Sequence, residues 1–123
     1  MSPVARHEFS RIPLLASLPG ERLAGLAPRM QREDVAPGTA VVSEGDDGDR
    51  FYVVLAGMLE VTQSGRGART LLRPGDHFGE VALAMGVPRT ATVRAITPVT
   101  VASCDKATFD EYIRPLFAED GPA

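Results

Sequence analysis

Pro74-Gly75-Asp76-His77-Phe78-Gly79-Glu80-Val81-Ala82-Leu83 is followed, after a gap of four residues, by Pro88-Arg89-Thr90-Ala91-Thr92-Val93. Gly75 and Gly79 admit backbone conformations and close approaches that a side chain blocks, so amides after Gly79 can point into a concavity. A short helix opening near Glu80 adds its unpaired N–H groups to the same place. Arg89 contributes a planar, two-pronged donor whose charge persists at physiological pH. Glu80 discriminates: a carboxylate beside a phosphate is repulsive unless it has a donor of its own, and a sugar hydroxyl is one. The pair therefore predicts a site for a sugar phosphate. A lone loop arginine is usually solvated, a lone Gly-rich turn is usually only a turn, and a carboxylate at a helix start is favoured by the macrodipole alone. The joint spacing carries the reading.

Outward from this stretch the punctuation is that of short strands. Val41-Val42, Phe51 to Ala56, Met58 to Gln63, Thr90 to Ile96 and Val99 to Cys104 are separated by Gly45 to Gly48, Gly57, Ser64 to Gly67, Pro74-Gly75 and Thr97-Pro98, as in a β-sandwich or β-roll. Before them, Glu21 to Met30 place Leu23, Leu26, Ala27 and Met30 at helical spacing, with Pro28 expected to disturb the last turn. After them, Asp105 can cap a helix carrying Phe109, Tyr112, Ile113, Leu116 and Phe117 on one face, with a break expected just before Pro115. The predicted fold is α+β and mainly β: an antiparallel β-roll or jelly roll with a short internal helix and flanking helices. The expected divisions are an N-terminal helical part at 8–32, a β-roll at 36–104 and a C-terminal helix at 105–117, all within one domain spanning 1–123.

The chain has 123 residues, which suffices for one core but not for a second, catalytic domain. A formal net charge of −3 and the absence of Trp argue against a nucleic-acid surface, which needs basic residues and stacking aromatics. Apolar runs such as Val53-Val54-Leu55-Ala56 are far short of the roughly 20 residues that cross a bilayer. A soluble location in the cytoplasm, or on the cytoplasmic side of a membrane protein, is the expectation, with no membrane contact by this chain. The one cysteine, Cys104, excludes an internal disulfide and reads as a small core residue.

Phe78 to Val93 resembles the phosphate-binding cassette of the cyclic nucleotide-binding domain family, with Phe-Gly-Glu, Ala-Leu, Pro-Arg-x-Ala and Thr-Val in order. The resemblance extends over roughly Ile12 to Arg114, where Pro37-Gly38, Glu44-Gly45-Asp46, Phe51-Tyr52-Val53, Gly57 and Leu59-Glu60-Val61 fall at the family's turns and first strands. It implies that Arg89 pairs with a cyclic phosphate and that Glu80 accepts from the ribose 2′-hydroxyl. It also implies that Phe78, Gly79, Val81, Ala82, Leu83, Pro88, Thr90 and Ala91 complete the site. The implied ligand is cAMP or cGMP, with cAMP favoured and no metal; one arginine does not serve the two phosphates of a cyclic dinucleotide. Thr90 is a hydroxyl at a position where cGMP-accepting relatives carry one, although its hydroxyl could equally satisfy neighbouring backbone.

The family's further helix, which closes over the purine as a lid, is a point of departure. Only Leu116 to Ala123 follow Pro115, and Gly121-Pro122 continues a helix poorly. Which residues cap the purine is therefore left open.

Two other readings stand beside a sensor. A β-roll metal enzyme of the cupin kind needs several histidines; the chain has His7, in the N-terminal arm, and His77, which reads as a surface or loop residue. A β-roll interaction module without a ligand would predict the loss of Arg89 or Glu80, and both are present. The expected function is non-catalytic: binding of a cyclic mononucleotide, relayed through the C-terminal helix to an effector domain or protein partner.

Overall fold

A computed structural model describes residues 6–67 and 70–119. Two four-stranded antiparallel sheets face each other. The first has the order β1 (Gln31–Val35), β8 (Val99–Asp105), β3 (Arg50–Ala56), β6 (His77–Phe78); the second runs β2 (Ala40–Val42), β7 (Thr92–Ala95), β4 (Leu59–Thr62), β5 (Thr70–Leu72). Helices cover the outer face of the first sheet: α1 (Pro13–Ala16) and α2 (Gly20–Leu26) before the strands, and a helical segment from Lys106 to Glu119 after them. The fold is thus an antiparallel β-sandwich, or roll, with short helices. None of the described helices is long and apolar enough to cross a membrane.

The first sheet is buried on both faces, which explains why β3 reads as an unbroken apolar run. Side chains alternate along a strand. Phe51 and Val53 join Phe9, Ile12, Leu15, Leu26, Phe109 and Ile113 in a helical core. Tyr52 and Val54 join Leu59, Phe78, Val93 and Val101 between the sheets. Cys104 is fully buried on the helical side, and burial pushes its thiol up to about 12, so it is a small apolar residue here and no nucleophile.

Several boundaries differ from expectation. The sheet begins at Gln31, inside the part expected to be helical. Gln31-Arg32-Glu33-Asp34 has no apolar alternation because β1 is an edge strand, held by its ladder to β8 from Gln31↔Ser103 to Val35↔Val99. Pro28 does disturb the first helical part, which ends in a 3₁₀ turn at Ala27–Arg29.

The C-terminal segment is capped by Asp105, whose carboxylate accepts from the Thr108 amide, as expected, but the break before Pro115 does not occur. Helix α4 (Lys106–Thr108) passes into a π-helical turn at Phe109–Ile113 and then into α5 (Arg114–Glu119). Proline has no N–H to give the carbonyl four residues earlier, that of Glu111. The wider turn lets Arg114 N–H reach the Phe109 carbonyl, and Arg22 Nη2 supplies Glu111 O with a donor at 2.8 Å. The expected Gly121-Pro122 terminus lies outside the described residues.

Candidate functional site

Strand β6 ends at Phe78, and the chain turns into α3 (Glu80–Met85) through Gly79. Gly79 has φ 98°, and a Cβ there would lie 2.9 Å from the Arg50 carbonyl and 2.8 Å from Arg89 Nη1. Only glycine satisfies both the left-handed backbone and the close approach. The N-cap of α3 is Gly79 itself, which has no side chain to cap the first-turn amides.

Arg89 is 6% exposed. Its Nη2 donates to the Arg50 carbonyl at 2.8 Å and its Nη1 to the Gly79 carbonyl at 3.2 Å, with the guanidinium 5.9 Å from the Tyr52 ring centre. Among the described residues it forms no ion pair with a carboxylate. Its backbone is pinned too: the Arg89 amide donates to Asp46 O at 2.7 Å, and the Gly45 amide donates to Arg89 O at 2.8 Å. Burial raises the Tyr52 phenol above its ordinary value, and the Arg89 charge partly offsets this.

Glu80 and Arg89 line one concavity of about 200 Å3 together with Phe78, Gly79, Val81, Ala82, Thr90 and Ala91. Two expected residues are not in its lining. Leu83, the fourth residue of α3, turns into the helical core and is almost fully buried there. Pro88 is exposed on the approach to Arg89. The apolar wall that residue spacing in the cassette did not reveal comes from the second sheet and its neighbours: Val42, Val61, Leu72 and Val93. Strand alternation was the available signal, since inward positions of β2, β4 and β7 end at the mouth of the sandwich.

His77 is not a loop residue. It lies in β6 paired with Val53, and its Nδ1 is 2.8 Å from Glu80 Oε1. Its ring contacts Phe51, centroids 5.7 Å apart, and Phe117 of α5, 5.5 Å apart and edge-on. Phe117 thus meets the histidine that immediately precedes the cassette. Thr90 is exposed, and its carbonyl accepts from Gln63 Nε2 at 2.7 Å. The His7 side chain lies outside the described residues. Among those described, no three His, Cys, Asp or Glu side chains gather as a metal site would require. A larger cleft of about 840 Å3, between Glu8, Arg11, Arg32 and the Pro74-Gly75 turn, includes none of the residues from Phe78 to Ala91. Size alone does not make it the site of the cassette's chemistry.

The family model described as the cyclic nucleotide-binding domain matches residues 32–115. The cAMP-dependent protein kinase regulatory subunit of Yarrowia lipolytica is 42% identical over 109 residues, which are 88% of this chain and 29% of that protein. The regulatory domain of Toxoplasma gondii protein kinase A, solved with cAMP, is 27% identical with a TM-score of 0.81, over 93% of this chain and 45% of that one. The regulatory subunit of a cAMP-independent protein kinase A from Trypanosoma cruzi, solved with guanosine, is 25% identical with a TM-score of 0.82, over 94% of this chain and 44% of that one. The chain thus spans less than a third of the length of the curated relatives it matches.

Proposed function

The chain belongs to the cyclic nucleotide-binding domain family, and from that premise we propose that it is a non-catalytic sensor that takes cAMP in the concavity between Arg89 and Glu80. The observation that carries the ligand class is the state of Arg89. An arginine that is 6% exposed has lost most of its hydration, and the partners of its guanidinium here are two neutral carbonyl oxygens. Carbonyl dipoles compensate a buried cation incompletely, whereas an anion compensates it with charge and with paired hydrogen bonds. Two of the five guanidinium donors are engaged in this way, which leaves others for phosphate oxygens.

Glu80 supports the sugar half. It stands in the same concavity as Arg89, where it would repel a bare phosphate but accept from a ribose hydroxyl. The concavity, about 200 Å3, is smaller than the roughly 300–1,000 Å3 of a whole small-molecule site. It suits the phosphate and sugar, with the base towards the open side. Naming of the matched relative as cAMP-dependent, and the cAMP held by the Toxoplasma gondii domain, support cAMP ahead of cGMP.

The output is a change in the C-terminal helical segment, read by an effector domain or by a partner such as a kinase catalytic subunit. Such relay requires that ligand favour one arrangement of the segment over another. Calorimetric titration of cAMP, cGMP and guanosine into the protein, freed of any co-purified nucleotide, tests the reading. Saturable binding of cAMP, tighter than that of guanosine, is expected because guanosine lacks the phosphate that Arg89 would hold. Equal binding of guanosine and the cyclic nucleotides would remove the phosphate from the proposal.

A further inference from the structure

His77 connects the sugar side of the concavity to α5 with one imidazole. Neighbouring residues of a strand face opposite ways. Phe78 enters the sandwich and stacks on Tyr52, centroids 4.8 Å apart and nearly parallel at 7°. His77 therefore faces the helices, where its ring lies against Phe51 and meets Phe117 edge-on at 70°. Its Nδ1 is 2.8 Å from Glu80 Oε1. An ionised carboxylate only accepts, so the proton of this bond is on Nδ1, and Glu80 Oε2 retains its lone pairs for a second donor.

This arrangement makes the two ends of the imidazole interdependent. The ring is held by the carboxylate at one edge and by aromatic contacts elsewhere, so a displacement of Glu80 either breaks the hydrogen bond or turns the ring. Turning the ring changes an edge-to-face contact whose energy depends on its angle. Phe117 belongs to the same element as Arg114, whose guanidinium reaches the Leu83 and Ala84 carbonyls of α3 at 3.4 and 3.3 Å. Helix α5 is thus linked to α3 at two places: at its first residue, Glu80, through His77, and at Leu83 and Ala84 through Arg114.

Resting on the nucleotide reading above, we propose that His77 is a positioning residue that orients Glu80 towards the ribose 2′-hydroxyl and couples occupancy of that subsite to Phe117 in α5. Selectivity for ribose over 2′-deoxyribose then depends on the Nδ1–H donor, and the response of α5 depends on the ring.

Two substitutions separate the edge from the ring. His77→Phe keeps an aromatic ring and removes the donor; His77→Asn places an amide N–H near the position of Nδ1 and removes the ring. Each is titrated with cAMP and 2′-deoxy-cAMP, and amide exchange is followed within residues 114–117, at Arg114, Leu116 and Phe117, with and without cAMP. For His77→Phe the ribose preference should fall about tenfold or more, the size of a hydrogen bond to a charged group, with 2′-deoxy-cAMP affinity nearly unchanged. For His77→Asn the preference should persist within about threefold, while cAMP no longer slows exchange at residues 114–117. In the unsubstituted protein, the His77 ring resonances should shift on adding cAMP and much less on adding 2′-deoxy-cAMP, a readout that does not depend on a variant folding. Equal losses for both ligands in His77→Phe, intact exchange protection in His77→Asn, or identical His77 shifts with both ligands would each overturn the proposal. Failure of the unsubstituted protein to bind cAMP at all would instead remove the nucleotide reading on which it rests.

Discussion

Arg89 Nη2 donates to the backbone carbonyl of Arg50 at 2.8 Å, so the side chain assigned to the phosphate also ties the cassette to the start of β3. Replacing it has two consequences that separate experimentally. Arg89→Ala should weaken cAMP binding by about 2–5 kcal/mol, the cost of truncating one side of a buried charge pair, which is about 30-fold to several thousandfold. It should also lower the stability of the ligand-free protein by about 1–3 kcal/mol, because two carbonyls lose their donor. Calorimetry and thermal melting together check this. Affinity within about threefold of the unsubstituted protein would show that the guanidinium is purely structural.

Gly48 bears on the same residue from the opposite side. A Cβ at Gly48 would overlap the Cβ of Ala82 in α3 and come within 3.0 Å of Arg89 Nε. Neither neighbour is the free end of a flexible chain, so the cassette has to move away. Gly48→Ala should destabilise the fold by about 1–3 kcal/mol, as overpacking does, and reduce cAMP affinity although the side chain touches no ligand. A melting curve and a titration unchanged by the substitution would contradict this packing.

Thr90 is exposed with its carbonyl held by Gln63, which leaves its hydroxyl available to a base. Guanine carries an amino donor at C2, where adenine has only a hydrogen. Thr90→Ala should therefore cost cGMP about 0.5–1.5 kcal/mol more than cAMP, the range of one neutral hydrogen bond. Equal losses for the two nucleotides would place the hydroxyl on phosphate or backbone instead.

The acid limb of stability should carry the signature of Asp105. The Thr108 amide first, and its hydroxyl second, hold the Asp105 carboxyl below the usual carboxylate range. A carboxylate whose folded value is depressed contributes stability above its unfolded value, near 3.9, and loses it as pH falls through the folded value. The contribution is small because the group is almost fully exposed. Asp105→Asn keeps a helix cap without the titration, so its melting temperature should depend less on pH below about 4. Asp105→Ala loses the cap itself, about 1 kcal/mol at neutral pH. Melting curves measured across the acid range distinguish the two, and an unchanged acid slope in Asp105→Asn would remove Asp105 from the account.

The parts of the fold that could be read from sequence are those whose cause is local. Gly79, Glu80 and Arg89 announce the cassette because its chemistry is concentrated in a dozen residues, and Phe51 to Val54 announce a strand because both of its faces are buried. Strand β1 could not be read: Gln31 to Asp34 carry no apolar alternation, and their conformation comes from the ladder to β8. The unbroken helix through Pro115 has no local signature for a related reason, since the acceptor that proline leaves is satisfied by Arg22, far away in the chain. His77 shows both cases in one side chain. Its partner Glu80 is three residues on and within local reach, whereas Phe51 and Phe117 arrive through the tertiary fold.

Strand β6 contributes only two residues to the edge of a sheet that is buried on both faces. That sheet is a partition, with the concavity on the sandwich side and the C-terminal aromatics on the other. Had β6 continued for two more residues, Glu80 would have been a rung of the ladder and the partition would have been closed between them. Its early stop leaves His77 in the ladder and Glu80 out of it, with one hydrogen bond joining the two. Lengthening β6 through Gly79 and Glu80 would straighten the turn whose carbonyl accepts from Arg89 and draw Leu83 out of the helical core.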